Sequence, residues 1–170
     1  MNDYRHFRTP YEAFVHRAWK AAILTGAEQF LLVTNDAHTT APKWVDPQSC
    51  FHISASTIRS DPPFSTLSGS FCDLNAVPMN LPRQEFSALL GTMTPLLPTG
   101  STLVFEYSTE QFSYREIEQL LSSHGYLIYE HLHEDEIREQ FLLILACRRP
   151  KISVHHRCYC LAVKYRELTQ

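Results

Sequence analysis

Pro98-Thr99-Gly100-Ser101-Thr102-Leu103-Val104-Phe105-Glu106-Tyr107 passes from a turn into a strand, and its neighbours on both sides are helices. Pro98-Thr99-Gly100 is turn chemistry, and Leu103-Val104-Phe105 is an unbroken apolar run of the kind buried on both faces of a parallel sheet. Upstream, Pro82 opens a helix whose apolar face is Phe86, Leu89, Leu90 and Met93. Downstream, Ser113 and Glu116 form a capping box ahead of Ile117, Leu120 and Leu121, with Gly125 closing the helix. Tyr126–His131 follows as a further strand, and Phe71–Val77 is a short strand before Pro82. Strands alternating with helices imply a mostly parallel sheet covered by helices.

Working outward to the N-terminus, Thr9, Pro10 and Glu12 read as N-cap, first helical residue and capping-box glutamate. Tyr11, Phe14, Val15, Ala18, Trp19, Ala22 and Ile23 recur on one helical face, and Gly26 ends it. Phe30-Leu31-Leu32-Val33 is the next strand, ending at Thr34-Asn35-Asp36. The stretch around Pro42, Trp44 and Pro47 leaves room for no more than a short helix, and Cys50–Ile58 reads as a second strand. Toward the C-terminus, Phe141–Cys147 predicts a last strand, antiparallel to Tyr126–His131 across a short charged connection at Glu134-Asp135-Glu136. Ile152–Val163 predicts an added strand or interface element, and its apolar residues motivate an expected homodimer.

The bulk numbers set limits. A chain of 170 residues fits one domain, with residues 1–26 as an N-terminal helix and 151–170 as a C-terminal extension. The hydrophobic fraction of 44% and charged fraction of 19% are ordinary for a globular protein. A formal net charge of −3 without a basic cluster argues against nucleic acid as a partner. No run of apolar residues is long enough to span a membrane, so none is expected as a partner. Five cysteines, Cys50, Cys72, Cys147, Cys158 and Cys160, are odd in number and mostly set in apolar stretches, which predicts a cytoplasmic protein rather than a secreted disulfide framework.

Several of these segments together resemble the class I S-adenosylmethionine-dependent methyltransferases. Leu81–Phe86 and Leu97–Phe105 resemble a helix and its following strand in that family, Glu116–Leu121 and Gly125-Tyr126 the next helix and its turn, and Phe141–Arg148 the family's last, antiparallel strand. Phe71–Val77 is similar to the strand bordering the substrate pocket. The resemblance covers roughly residues 70 to 149, somewhat under half of the chain. It implies a Rossmann-like three-layer α/β sandwich, and S-adenosylmethionine as the cofactor if one is bound.

The N-terminal half departs from the family. A Gly-rich turn after the first strand lets the backbone approach the cofactor, but here no glycine stands between Gly26 and Gly69. Near the end of the second strand, where an acidic residue holds the ribose, Ser56, Thr57 and Ile58 precede the first carboxylate, Asp61. About forty residues separate the first strand from Phe71, too few for the full complement of βα units at roughly thirty residues each. One unit is therefore absent or shrunken.

Candidate site residues follow from position. Asn35 and Asp36 sit at the carboxyl end of a parallel strand, where open α/β sheets bind ligands, although Asn-Asp is also ordinary turn chemistry. Asn75, with Pro78 and Asn80, holds the comparable place after a later strand, which in the family meets the cofactor base or the acceptor. Glu106 and Tyr107 end the best strand, and Glu106 is a general-base candidate if buried. His156, Cys158 and Cys160 share one face of a strand, but their spacing is not that of a zinc knuckle, so no metal is expected. His131, His133 and the following acids read as a solvated turn.

Three functions fit this pattern. The expected one is a methyltransferase-like binding or scaffolding module that has lost S-adenosylmethionine, with a protein or a small molecule as its partner. The others are a divergent active methyltransferase using Asn35, Asp36 and Asn75, and an unrelated α/β ligand-binding protein. An open cleft at the strand ends favours the latter two, and a cleft plugged by Trp44 or Phe64 favours the first.

Overall fold

The structure, a computed structural model, describes residues 7, 9–35, 39–60, 70–136 and 156–166. Helix α1 (Pro10–Leu24) starts where the sequence predicts: Thr9 is extended, and its side chain accepts from the Glu12 backbone N–H at 3.1 Å. Strand β1 (Gln29–Thr34) follows, then β2 (Cys50–Ser54). The predicted strand through Ile58 stops at Ser54, and Ala55–Ser60 is a short helix, α2. The reason is local: the Ser54 hydroxyl accepts from the Thr57 backbone N–H at 3.1 Å, which starts a helix instead of extending the strand.

Strand β3 (Ser70–Asp73) is shorter than predicted. An Asx turn ends it, in which Asp73 Oδ1 accepts from the Asn75 N–H at 2.7 Å while Asn75 takes a φ of 49°. Helix α3 (Val77–Asn80), helix α4 (Arg83–Met93), a 3-10 turn (Thr94–Leu96), strand β4 (Thr102–Ser108) and helix α5 (Tyr114–Ser123) come next. Both halves of the Ser113/Glu116 capping box form at the start of α5. Gly125 takes a φ of 81°, and a Cβ there would stand 2.9 Å from the Arg166 carbonyl oxygen, so turn geometry and space both call for glycine.

Strand β5 (Tyr126–His133) and strand β6 (Arg157–Lys164) complete a six-stranded sheet of order β2-β1-β3-β4-β6-β5. The first four strands in that order are parallel, and β6 is antiparallel to both of its neighbours. The strand antiparallel to β5 is Arg157–Lys164, which overlaps the segment Ile152–Val163 predicted as an added strand. Phe141–Cys147 lies outside the described residues. Cys158–Ala162 is buried inside the sheet, between β4 and β5.

Two apolar clusters make the three layers. On one face Leu31, Val33, Cys72, Leu103 and Phe105 pack against Ile58 of α2, Phe86, Leu89 and Leu90 of α4, and Ile117 and Leu121 of α5. On the other, Phe30, Leu32, Phe71, Val104 and Leu161 pack against Phe14, Ala18 and Trp19 of α1. The first half is short: no described residue between β1 and β2 is helical, and α2 has six residues. No described helix is long and apolar enough to cross a membrane.

Candidate functional site

Alternation along the strands places Asp73 and Glu106 on the α1 face, at the carboxyl ends of β3 and β4. α1 crosses this end of the sheet and leaves a cavity of about 1050 Å³, with Tyr11, Asp73, Asn75, Glu106, Arg157 and Tyr159 in its wall. Val15 and Leu32 contribute its apolar side, and Trp44 stands at the rim. Trp44 does not plug the space: its Nε1 donates to Glu12 Oε1 at 3.3 Å, and its ring meets His16 and Phe30 edge-on, while Phe64 lies outside the described residues.

The Tyr11 hydroxyl donates to Asp73 Oδ1 at 2.6 Å, and both residues are buried. Burial pushes the Asp73 carboxyl up to about 7, against the pull of the two hydrogen bonds it accepts, and the Glu106 carboxylate adds to the rise. The same burial, with Asp73 beside it, holds the Tyr11 phenol well above its ordinary range. Glu106 is also raised by burial; the Arg157 charge opposes that shift and Glu134 reinforces it. The site is thus a carboxylate-rich cleft with weakly acidic, proton-holding groups at its base.

Of the predicted site residues, Asn75 stands in the cavity wall, half-buried, and its backbone carbonyl accepts from the Glu106 N–H at 3.0 Å. Asn35 is exposed at the end of β1 and is not part of that wall. Asp36 lies outside the described residues. Glu106 and Tyr107 part company. Glu106 faces the cavity, whereas Tyr107 points to the opposite face, fully buried, with its hydroxyl 2.6 Å from His131 Nε2. His131 and His133 are not in a solvated turn but on β5, where His133 Nδ1 lies 3.3 Å from Cys158 Sγ. His156 is exposed just ahead of β6, and no group of His, Cys, Asp or Glu among the described residues is arranged to hold a metal.

Sequence reasoning missed Tyr11, Asp73, Arg157 and Tyr159. The Tyr11–Asp73 bond joins residues 62 positions apart, and no local spacing announces it. The available signal was a carboxylate at the end of a buried strand, which is costly to bury without a partner.

At the ends of β1 and β2 the polar groups are engaged with one another. Thr34 Oγ1 lies 2.8 Å from His52 Nε2, and the Ser54 hydroxyl lies within hydrogen-bond distance of Ser56 and Thr57. Neither strand ends in a carboxylate or a glycine turn among the described residues.

The sheet order, with its antiparallel strand set inside the sheet next to the last parallel one, decides the comparison. The fold is that of the class I methyltransferases. N-methyltransferase NodS from Bradyrhizobium japonicum WM9 is similar over 94% of this chain and 99% of its own, with a TM-score of 0.58 at 14% identity. Magnesium protoporphyrin IX methyltransferase (ChlM) from Synechocystis PCC 6803, with bound SAM, is similar over 91% and 80%, with a TM-score of 0.52 at 11% identity. The TehB-like SAM-dependent methyltransferase from Corynebacterium glutamicum ATCC 13032 gives 0.53 at 8% identity over 91% and 97%. In sequence, the chain is 31% identical over 100 residues to YktD of Bacillus subtilis (strain 168), itself only provisionally assigned as an S-adenosyl-L-methionine-dependent methyltransferase. That match takes in 42% of this chain and 33% of YktD, so the chain spans about a third of the relative's length. No family model matches the chain.

Proposed function

We propose that this chain is a ligand-binding module on the methyltransferase fold, whose cleft takes a small molecule other than S-adenosylmethionine. One contrast carries the reading. At the ends of β1 and β2, where the family holds its cofactor, Thr34 is engaged with His52 and Ser54 with Thr57, whereas Asp73, Asn75 and Glu106 at the ends of β3 and β4 open onto a cavity of about 1050 Å³. The chain has no glycine turn to admit the cofactor's backbone contacts, so the residues present do not fit that group. The open cavity, with Trp44 at its rim, favours a ligand over a purely scaffolding role.

The test is the melting temperature with and without excess S-adenosylhomocysteine. A ligand at a hundredfold over its Kd adds about 2.7 kcal/mol, on the order of 5–10 °C for a chain of this length. No shift at millimolar ligand is expected. A clear rise overturns the reading in favour of a divergent active methyltransferase, the alternative that the open cavity also favours.

A further inference from the structure

Among the described residues of the cavity wall, Glu106 is a nearly buried carboxylate whose chemistry the fold leaves unfinished. It is 8% exposed and faces the cavity, and among the described residues its carboxylate takes no hydrogen bond and no ion pair. Asp73, by contrast, is held by Tyr11 and by the Asn75 backbone. Arg157 lies diagonally across the β4–β6 ladder, next but one to Tyr159, the partner of Glu106, and stays outside ion-pair distance. A buried carboxylate without donors carries its full desolvation cost, so the structure has a place that an incoming donor would stabilise.

The surroundings say which donor. Among the described residues, Glu12, Asp73, Glu106 and Glu134 face the cavity against Lys43 and Arg157, a balance that disfavours an anionic ligand. The rings of Tyr11, Trp44 and Tyr159 stand in the same wall, and aromatic rings beside carboxylates suit an organic cation. A carboxylate lacking hydrogen bonds calls for N–H donors, which a primary ammonium has and a quaternary one does not. We propose that the cavity binds a small molecule bearing a primary ammonium group, with Glu106 as its carboxylate partner. The inference rests on the reading that the cleft is a ligand site.

Titration calorimetry on the full chain tests it with two amine and alcohol pairs of matched shape, phenethylamine with phenethyl alcohol and hexylamine with hexanol. At least one amine is expected to bind about tenfold or more tightly than its alcohol, a difference of about 1.4 kcal/mol. Glu106→Gln is expected to abolish that preference. Arg157→Gln, at an exposed position where folding is not at risk, is expected to tighten amine binding several-fold by removing the competing cation. Equal binding of amine and alcohol, a preference that survives Glu106→Gln, or no binding of either amine at millimolar concentration overturns the proposal. Failure of the reading on the cofactor shows separately, as the rise in melting temperature with S-adenosylhomocysteine, whatever the amines do.

Discussion

The hydroxyl of Tyr11 and the carboxylate of Asp73 meet at 2.6 Å, tying the first helix to the end of the third strand across 62 residues. Because both groups are buried, this bond sets the depth at which α1 lies over the cavity. Tyr11→Phe keeps the ring and removes the donor. It is expected to destabilise the fold by about 1–2 kcal/mol and to raise the Asp73 carboxyl further, since the lost bond favours its charged form. Urea denaturation reads the first effect and an NMR titration of the Asp73 side chain the second. An unchanged titration would show that the bond does not hold in solution.

Stability should depend on pH through the same carboxyl. Burial raises Asp73 to about 7 in the folded chain, against about 3.9 for an unfolded aspartate. Between those values the folded state holds more protons than the unfolded one, so stability falls as pH rises from about 4 to about 7 and levels off above. Glu106, raised for the same reason, adds to the slope. The melting temperature measured across that window should fall for the native chain and fall less for Asp73→Asn.

Much of this fold was legible from residues alone, and the exceptions have physical causes. α1, β1, β4 and α5 are framed by caps and long apolar runs, and they appear where Thr9, Phe30–Val33, Leu103–Phe105 and Ser113 put them. Arg157–Lys164 overlaps the segment predicted as an added strand, but its place between β4 and β5 is not legible, because pairing partners are not written in composition. At the site, Asn75 and Glu106 could be placed because strand ends are legible. Tyr11 and Arg157 could not, because their roles depend on α1 and β6 converging on one end of the sheet.

The capping box of α5 offers a local test. The Ser113 side chain accepts from the Glu116 backbone N–H, and the Glu116 carboxylate accepts from the Ser113 N–H at 2.8 Å. Ser113→Ala should cost about 1 kcal/mol in urea denaturation. A loss below a few tenths would mean that tertiary packing alone fixes the start of the helix.

Arg17 provides the contrast. Its guanidinium grips both oxygens of Glu130, at 2.7 and 2.8 Å, joining α1 to β5, but the two side chains are 47% and 29% exposed. Arg17→Ala should therefore cost less than about 1 kcal/mol, and less still in high salt. A larger loss would place this pair, instead of Tyr11, as the main tie between α1 and the sheet.

The position of β6 bears on how the chain is made. It is the last of the described strands in sequence, yet it lies between β4 and β5, pairing with both. On a ribosome, β4 and β5 emerge earlier and face each other across a gap that neither can fill. Until Lys164 has left the exit tunnel, the nascent chain carries two raw sheet edges, the feature that invites wrong pairing between chains. Arg157–Lys164 then acts as a keystone, and the sheet becomes continuous only once this strand has emerged and slotted between β4 and β5.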